Sequence, residues 1–540
     1  MTLHEDEHLL VINKPAGWNT HAPSPFAGEG AYEWLKHREP RWARLAIIHR
    51  LDKETSGVLV FGKSTDANRS LTQQFTERRV RKTYALVTDR PLKQKHFTAA
   101  SSLVRAGEKY VSQPLRPGGE RAETRFRVVA IEPGRNLIEA EPTTGRTHQI
   151  RVHAAEHGFP ILGDRLYGGT PAERVFLHAA ELSLRHPTTG ELLTFCAPCD
   201  WSVRASLADE AGEMPVVRSA SVALRAAIVE PQLTDSFRYL HGASDGSPWL
   251  YVDKLADFLL AQCEGTLDTR QREHLEAIQR ECGSRGAYHK RLSRRVRGAT
   301  IEETSPQLVF GDVAPERFTI RENGLNFEVS LSEGYSVGLF LDQRDNRRRF
   351  LVNHVAAEFP LFPHGATVQV LNTFGYTCGF SVAAAKSGAH TTSLDLSKKY
   401  LEWGKRNFAL NGIDSSQHDF IYGDAFDWMR RLTKKGRSFD CIILDPPTFS
   451  QSKAGGTWQA EKDYGKLVTA ALPLLKPNAV LLASTNAAKL EAERFLAMIG
   501  ESVTKARRKV LQQHYVPQPP DFPISREEPA YLKTVWLRIS

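Results

Sequence analysis

The chain has 540 residues, 41% of them hydrophobic and 25% charged, with 71 Lys+Arg against 62 Asp+Glu. That length exceeds what one hydrophobic core can organise and predicts roughly two to four domains. No apolar run reaches 18 residues, and the acidic start Met-Thr-Leu-His-Glu-Asp-Glu-His lacks a signal-peptide core; neither a membrane span nor a secretory signal is expected. Six cysteines make no disulfide framework, so a reducing cytoplasm is expected.

Residues 8 to 200 read as mostly β with short helices: Leu9–Ile12, Gly57–Phe61, Thr83–Thr88 and Arg125–Ile131 are strand-like. Three motifs stand among them. Residues 49 to 57 read His-Arg-Leu-Asp-Lys-Glu-Thr-Ser-Gly, Arg81-Lys82-Thr83-Tyr84 opens a strand, and residues 145 to 153 read Gly-Arg-Thr-His-Gln-Ile-Arg-Val-His. A lone Asp before a Lys is usually a surface turn, and a lone Tyr in a strand is usually half-core. Those readings would hold for motifs standing singly, but here three motifs stand together, and a carboxylate among them can act as nucleophile without metal or cofactor. Cys196 and Cys199 lack the second pair that zinc requires, so no metal site is expected. His148, His153, His157, His178 and His186 lack a metal-binding frame and read as hydrogen-bonded structural groups.

From about Ala211 to Gln232 the chain is poor in aromatics and reads as a linker with one short helix. A mixed segment runs from Phe237 to about Gly334. From Thr367 onward, apolar runs alternate with helical patterns, which implies βαβ units and a parallel sheet. There, Val368–Leu371 leads into Asn-Thr-Phe-Gly-Tyr-Thr-Cys-Gly-Phe, residues 372 to 380. Gly375 and Gly379 allow close backbone approach at a strand-to-helix turn, and Asp395, twenty residues on, can bind ribose hydroxyls. A nicotinamide cofactor would fit this much equally well. Asp-Pro-Pro-Thr-Phe, residues 445 to 449, follows the buried-strand pattern Cys441–Leu444. An acid and a rigid Pro-Pro there can hold a flat base beside a methyl donor, with Phe449 free to stack; nicotinamide enzymes have no use for this.

The first set of motifs, with Asn13-Lys14-Pro15 and Leu177-His178-Ala179, resembles the RluA-like family of RNA pseudouridine synthases over about residues 8 to 200. The resemblance implies Asp52 as nucleophile, Arg151 pairing with it and holding it ionised, and Tyr84 stacking on uracil. It implies Arg50 filling the gap left by the flipped uridine, with Arg146 and His148 also on the RNA. No separate small RNA-binding domain is expected ahead of residue 8.

The stretch from Phe237 to Ser540 resembles the RlmI/RlmK-like ribosomal RNA methyltransferases. The matching pieces are Gly338 to Arg347, the loop at 372 to 380, Tyr400 to Asn407 and Asp445 to Lys453. Arg238 to Leu250 looks like that family's central domain, with Ala243 where Glu is usual and Trp249 where Gly is usual. This resemblance implies that Phe374, Gly375, Tyr376 and Gly379 line S-adenosylmethionine (SAM), that Asp395 binds its ribose and Asp424 its adenine. It likewise implies Asp445 as the catalytic residue of the Asp-Pro-Pro-Thr-Phe motif. Gln343, Arg344 and Arg347 would shape the cofactor pocket, the alternative for the arginines being surface charge.

The fold expected is therefore multidomain. A mixed α+β synthase domain with an antiparallel sheet spans 1–208 and a linker 209–232. A small α+β central domain spans 233–335 and an α/β Rossmann-like SAM methyltransferase domain 336–540. Arg78–Lys82, Lys290–Arg297, Arg347–Arg349 and Lys505–Lys509 concentrate cations suited to a phosphate backbone or to solvated helix faces. The leading reading is an enzyme making two modifications in RNA, with large-subunit ribosomal RNA or assembly intermediates as partner. The alternative is a ribosome-assembly protein whose synthase half only docks; a DNA methyltransferase is disfavoured because the other half is RNA chemistry. Neither a membrane nor a protein partner is expected, and SAM is the one cofactor. Guanine ring nitrogen is favoured over cytosine carbon 5. The latter needs an attacking thiolate, and the strand Ala479–Ala483 runs into Ser484-Thr485-Asn486 without one.

Overall fold

In the computed structural model, residues 1–115, 121–132, 134–199, 201, 219–292, 305–334, 336–363, 365, 367–451 and 457–540 are described. The chain forms two compact units. The first comprises Met1–Pro23, Gly30–Leu35 and Arg44–Ile228, and the second Ser24–Glu29, Lys36–Ala43 and Val229–Ser540. Residues 209–218 of the linker expected at 209–232 lie outside the described residues, and the remainder includes its short helix, Ala220–Ile228.

The first unit is built on an eleven-stranded sheet. Its strands are β1 (Thr2–Glu5), β2 (Leu9–Lys14), β3 (Ala46–Ile47), β4 (Ser56–Gly62), β5 (Arg81–Thr88), β6 (His96–Ala106), β7 (Lys109–Gln113), β8 (Arg121–Glu132), β9 (Arg135–Pro142), β10 (Leu177–Arg185) and β11 (Leu192–Cys196). The order is β1-β2-β4-β10-β5-β9-β8-β6-β7, with β3 on β4 and β11 on β10. Every pairing is antiparallel except β4 with β10, where Ser56 faces His178 and Gly57 faces Ala179. That register joins the end of the 49–57 motif to Leu177-His178-Ala179. Ser56 Oγ meets His178 Nδ1 at 2.7 Å. β4 is buried at all seven residues, which explains its unbroken apolar run.

The second unit carries a mixed sheet of β12 (Ser236–His241), β13 (Tyr251–Leu255), β14 (Phe258–Cys263), β15 (Gly286–Arg291) and β16 (Gln307–Gly311), in that order. The Thr269–Cys282 helix crosses over between the parallel pair β14 and β15. A hairpin follows, β17 (Phe318–Glu322) and β18 (Leu325–Val329). The largest sheet of this unit then comprises β19 (Gln369–Thr373), β20 (His390–Asp395), β21 (Asp419–Tyr422), β22 (Phe439–Leu444), β25 (Leu475–Thr485), β26 (Val510–Val516) and β27 (Lys533–Ile539). A two-stranded ribbon, β23 (Phe449–Gln451) with β24 (Thr457–Gln459), lies outside it.

The order of the large sheet is β21-β20-β19-β22-β25-β27-β26, parallel except where β27 pairs with β25 and β26. Chain direction across the sheet reverses between β19 and β22, and ligands bind beyond the carboxyl ends of strands at such a switch point. Alternate residues sort to opposite faces. Val370, Cys441, Ile443, Val480 and Leu482 join one core together with Phe258, Tyr288, Ile320 and Phe327, while Leu371, Ile442, Leu444, Leu481 and Ala483 join another. The central sheet and the parallel sheet thus share a hydrophobic core. Among the described residues no helix is long and apolar enough to cross a membrane.

Candidate active sites

In the first unit, Asp52 sits in a loop held from three sides. Lys14, with no exposed surface, donates through Nζ to the carbonyls of Pro15 (2.9 Å), Trp18 (2.6 Å) and Lys53 (3.3 Å). Gly17 N–H reaches Lys53 O at 2.8 Å. Thr20 Oγ1 donates to Leu51 O and accepts from Leu51 N–H. Burial pulls the Lys14 ammonium down to about 7 against the pull of Glu54 and Asp52.

Asp52, Tyr84, Arg151, Arg50, Arg146 and His148 all line one cavity of about 780 Å³. Burial raises the Asp52 carboxyl above the usual carboxylate range, opposed by His148 and Arg151. The same burial, with the Asp52 charge added, holds the Tyr84 phenol protonated. Arg50 stays exposed at the rim.

Arg151 reaches Asp52 less closely than a direct pair would. Its Nη1 is 3.8 Å from Asp52 Oδ2 and 3.3 Å from Glu54 Oε2. Its tight bonds go to Asp164, Nε to Oδ2 at 2.6 Å and Nη2 to Oδ1 at 2.8 Å, and both partners are almost fully buried. Burial alone would lower the guanidinium's pKa; Asp164 outweighs it and leaves the cation fixed. Asp164 was not legible as a partner, although Gly163-Asp164-Arg165-Leu166-Tyr167-Gly168, an acid and a tyrosine between turn glycines, is a signal that could have found it. Of the other histidines, His153 bridges Ser101 Oγ and Thr124 Oγ1 at 3.0 Å each, in the structural role expected.

In the second unit the candidate residues gather by strand register. Thr373 faces Leu444 and Leu394, Asp395 faces Tyr422, and Leu444 faces Ala483. Phe374, Asp395, Asp445 and Ser484 therefore emerge at the same edge of the sheet, astride the switch point. Phe374, Tyr376 and Cys378 hold left-handed φ of 58°, 47° and 63°. Each costs on the order of 1–3 kcal/mol and is sustained only by a surround that over-determines it. Asp395 supplies part of that surround, accepting from Tyr376 N–H and Ser397 N–H at 2.8 Å each. The Tyr376 ring lies between Phe340 (5.2 Å) and Tyr400 (4.6 Å). A Cβ on Gly379 would stand 2.9 Å from Leu339 Cδ1, and one on Gly404 would stand 2.4 Å from Cys378 Sγ. Asp424 caps the Ala425–Lys434 helix, accepting from Asp427 N–H at 3.0 Å.

Asp445 receives Gln343 Nε2 at 3.2 Å, and the same nitrogen reaches Ser484 Oγ at 2.8 Å. Burial, helped by the nearby Asp342 carboxylate, pushes Asp445 up to about 7. Gln343 thus touches the acid of the motif, as a pocket residue should. The arginines act differently. Arg347 is bidentate to Glu322 (2.7 and 2.8 Å) and donates to Phe340 O, so its nitrogens support the fold and its Cδ lies 3.5 Å from where a Gly379 Cβ would be. Arg344 is bidentate to Asp521 at 2.8 and 2.7 Å. Both arginines are 3% exposed, so the surface-charge alternative falls away. Phe449 keeps half its surface exposed, open to stacking.

Residues 8–156 match the family RNA pseudouridylate synthase, and residues 262–538 match the family S-adenosylmethionine-dependent methyltransferase. The ribosomal large subunit pseudouridine synthase C of Escherichia coli is 38% identical over 221 residues, 38% of this chain and 68% of that one. The ribosomal RNA large subunit methyltransferase of Deinococcus radiodurans is 34% identical over 335 residues, 59% of this chain and 77% of that one. Among solved structures, the methyltransferase SMU.776 with bound SAH is 30% identical, covers 59% of this chain and 79% of its own, and superposes with a TM-score of 0.51.

Proposed function

Because this chain belongs both to the RNA pseudouridylate synthases and to the SAM-dependent methyltransferases, and is thereby an RNA-modifying enzyme of two activities, we propose that both act on large-subunit ribosomal RNA in the cytoplasm. One isomerises a uridine to pseudouridine without a cofactor, and the other methylates a guanine ring nitrogen with SAM.

For the synthase the reading rests on the shared cavity of Asp52, Tyr84 and Arg151. Asp52, its carboxylate poorly solvated and therefore reactive, attacks sugar carbon 1′ of the flipped uridine as the bond to uracil nitrogen 1 breaks; the freed uracil turns and its carbon 5 displaces the carboxylate, which regains its charge. Tyr84 stacks on the uracil. Its phenol is held protonated partly by the Asp52 charge. Lining the same cavity, that phenol can take up the proton leaving carbon 5 while handing its own to solvent, and so ends protonated as it began. Arg50, exposed at the rim, takes the place of the extruded nucleotide, and Arg146 and His148 line the way in.

For the methyltransferase, the strained loop 374–378, the acids at the ends of β20 and β21 and the close-packed Gly379 fit SAM, which supplies an activated methyl group. Asp395 would take the ribose hydroxyls, Asp424 the adenine, and Asp445 with Phe449 the target base. The choice of a ring nitrogen is supported by where the thiols are. Cys378 and Cys441 are fully buried, burial pushing the Cys378 thiol up to about 12 and the Cys441 thiol up as well. Cys441 lies within β22, and Thr485, at the end of β25, spends its hydroxyl on Ala487 N–H. A ring nitrogen carries its own lone pair and needs only positioning.

Mass spectrometry of nucleosides from ribosomal RNA incubated with the enzyme and methyl-labelled SAM tests the whole reading. Pseudouridine and a labelled methylguanosine are expected. Label in 5-methylcytidine would replace the guanine assignment, and neither product in ribosomal RNA would overturn the substrate.

A further inference from the structure

His148 is the residue of the first site whose geometry carries more than the proposed chemistry uses. It has a left-handed backbone, φ 56°, at the start of the Gln149–Glu156 helix. Side chains other than glycine rarely adopt that conformation, and it costs on the order of 1–3 kcal/mol. The strain holds an imidazole whose two nitrogens face different partners. Nε2 is 4.0 Å from Asp52 Oδ2. Nδ1 is 2.7 Å from the hydroxyl of Tyr167.

The hydroxyl decides the tautomer. Tyr167 OH already accepts the backbone N–H of Tyr110 at 2.9 Å, and a backbone amide can only donate. The one phenolic proton is therefore free to go to His148, and Nδ1 as acceptor satisfies both groups, whereas the opposite roles would leave that proton outside both bonds of Tyr167. A neutral imidazole accepting at Nδ1 carries its proton on Nε2. That is the nitrogen 4.0 Å from Asp52 Oδ2. Burial favours the neutral ring, and the Tyr110 ring packs edge-on to His148 at 5.5 Å while Tyr167 does so at 5.6 Å, so the ring has little freedom to turn.

Tyr167 is held as firmly. It lies in the turn between Gly163 and Gly168, both left-handed, and a Cβ at Gly163 would stand 1.8 Å from Arg174 O. Arg151 sits over its ring at 5.1 Å while bonded to Asp164 three residues earlier. One turn therefore fixes both groups that face the Asp52 carboxylate.

We propose that Tyr167 is a positioning residue of the synthase site: through Tyr110 N–H, its own O–H and His148 Nδ1 it holds His148 as the Nε2–H tautomer, a neutral donor aimed at Asp52. The role rests on the proposed nucleophile, because a donor there steadies the carboxylate before attack and leaves no extra positive charge to weaken it.

Two measurements on the full chain test this. Nitrogen-15 spectra of histidine-labelled protein read the tautomer directly and need no activity. His148, assigned by its loss in His148→Gln, should show a protonated Nε2 and a bare Nδ1, and Tyr167→Phe should mix the tautomers while the His153 signals stay in place. A protonated Nδ1 in the unaltered protein overturns the proposal even if every variant misfolds. The second is a double-mutant cycle on pseudouridine formation. Tyr167→Phe should lower kcat by roughly tenfold with KM changed less than twofold, and should have less than a twofold effect in the His148→Gln background, where the amide donates without needing a tautomer. Equal losses in both backgrounds overturn the relay. An unaltered chain that forms no pseudouridine in any RNA would instead defeat the proposed nucleophile, and the spectra would still decide the tautomer.

Discussion

Replacing Asp445 with Asn should stabilise the second unit while stopping methylation, and the gain should depend on pH. Asp445 is held at about 7 in the folded chain by burial and by Asp342; an unfolded aspartate titrates near ~3.9. The folded carboxyl is raised, so between these values the unfolded state has released its proton and the folded state has not. Stability is therefore lost as pH rises through this window, and the penalty is constant above it. At about 1.36 kcal/mol for each pH unit travelled between the two values, the penalty is about 1.5 kcal/mol at pH 5 and about 4 kcal/mol at pH 8. These are upper bounds, because solvent reaching the partly exposed Asp445 reduces them. Asparagine has the same shape, can still accept from Gln343 Nε2, and carries no charge to desolvate. The assay is urea unfolding of both proteins at pH 5 and pH 8, following the transition that SAM shifts, since that one belongs to the unit that binds it. The stabilisation by Asp445→Asn should rise nearly threefold between the two pH values. A difference flat across pH, or a variant less stable at pH 8, would refute a strained, buried carboxyl.

Asp52→Asn should abolish pseudouridine formation and leave methylation within a factor of about two, because each unit holds its own chemical groups; nucleoside mass spectrometry reads both. Asp164→Asn should lower stability by about 3–5 kcal/mol, the usual cost of leaving one partner of a buried pair uncompensated, with pseudouridine formation falling in step. Calorimetry on the transition that SAM does not shift gives the first, and initial rates give the second. Gly57→Ala should be worse tolerated than an ordinary strand substitution. Gly57 has φ 115°, and its added Cβ would stand 2.2 Å from Ala179 O where β4 meets β10. A loss of more than about 2 kcal/mol is expected, and a neutral effect on unfolding would show that the strand junction is loose.

Much of this was legible because local chemistry and global placement agree. The strand-like runs at residues 9–12, 57–61, 83–88 and 125–131 lie within β2, β4, β5 and β8, since alternation or continuous apolarity reports how many faces of a strand are buried. The piece Tyr400 to Asn407 lies within the helix Lys398–Leu410, which is capped at Ser397 by that residue's own hydroxyl. What a motif cannot show is the partner that fixes it. Asp164 is thirteen residues from Arg151, and Tyr110 N–H is fifty-seven residues from Tyr167. Lys14 was visible in Asn13-Lys14-Pro15, yet its grip on the Lys53 carbonyl depends on a chain reversal thirty-nine residues long.

The run Arg347–Arg349 makes the same point from the opposite side. Three adjacent cations on a polar helix read as a surface for phosphate, and the helix Arg344–Val352 nonetheless buries Arg344, Arg347, Arg349 and Phe350. The counter-charges come from far along the chain: Glu322 for Arg347, Asp521 for Arg344 and Glu39 for Arg348. Burying a guanidinium is costly unless bidentate geometry satisfies it, and Glu322 and Asp521 supply that geometry at 2.7–2.8 Å. A sequence records the cations as neighbours because they share a helix. It scatters the acids over almost five hundred positions, because each arrives on a different element. Charge runs therefore predict a nucleic-acid surface only once the acids that could answer them have been located. Arg347, so answered, stands against the 372–380 loop, its Cδ 3.5 Å from where a Gly379 Cβ would be.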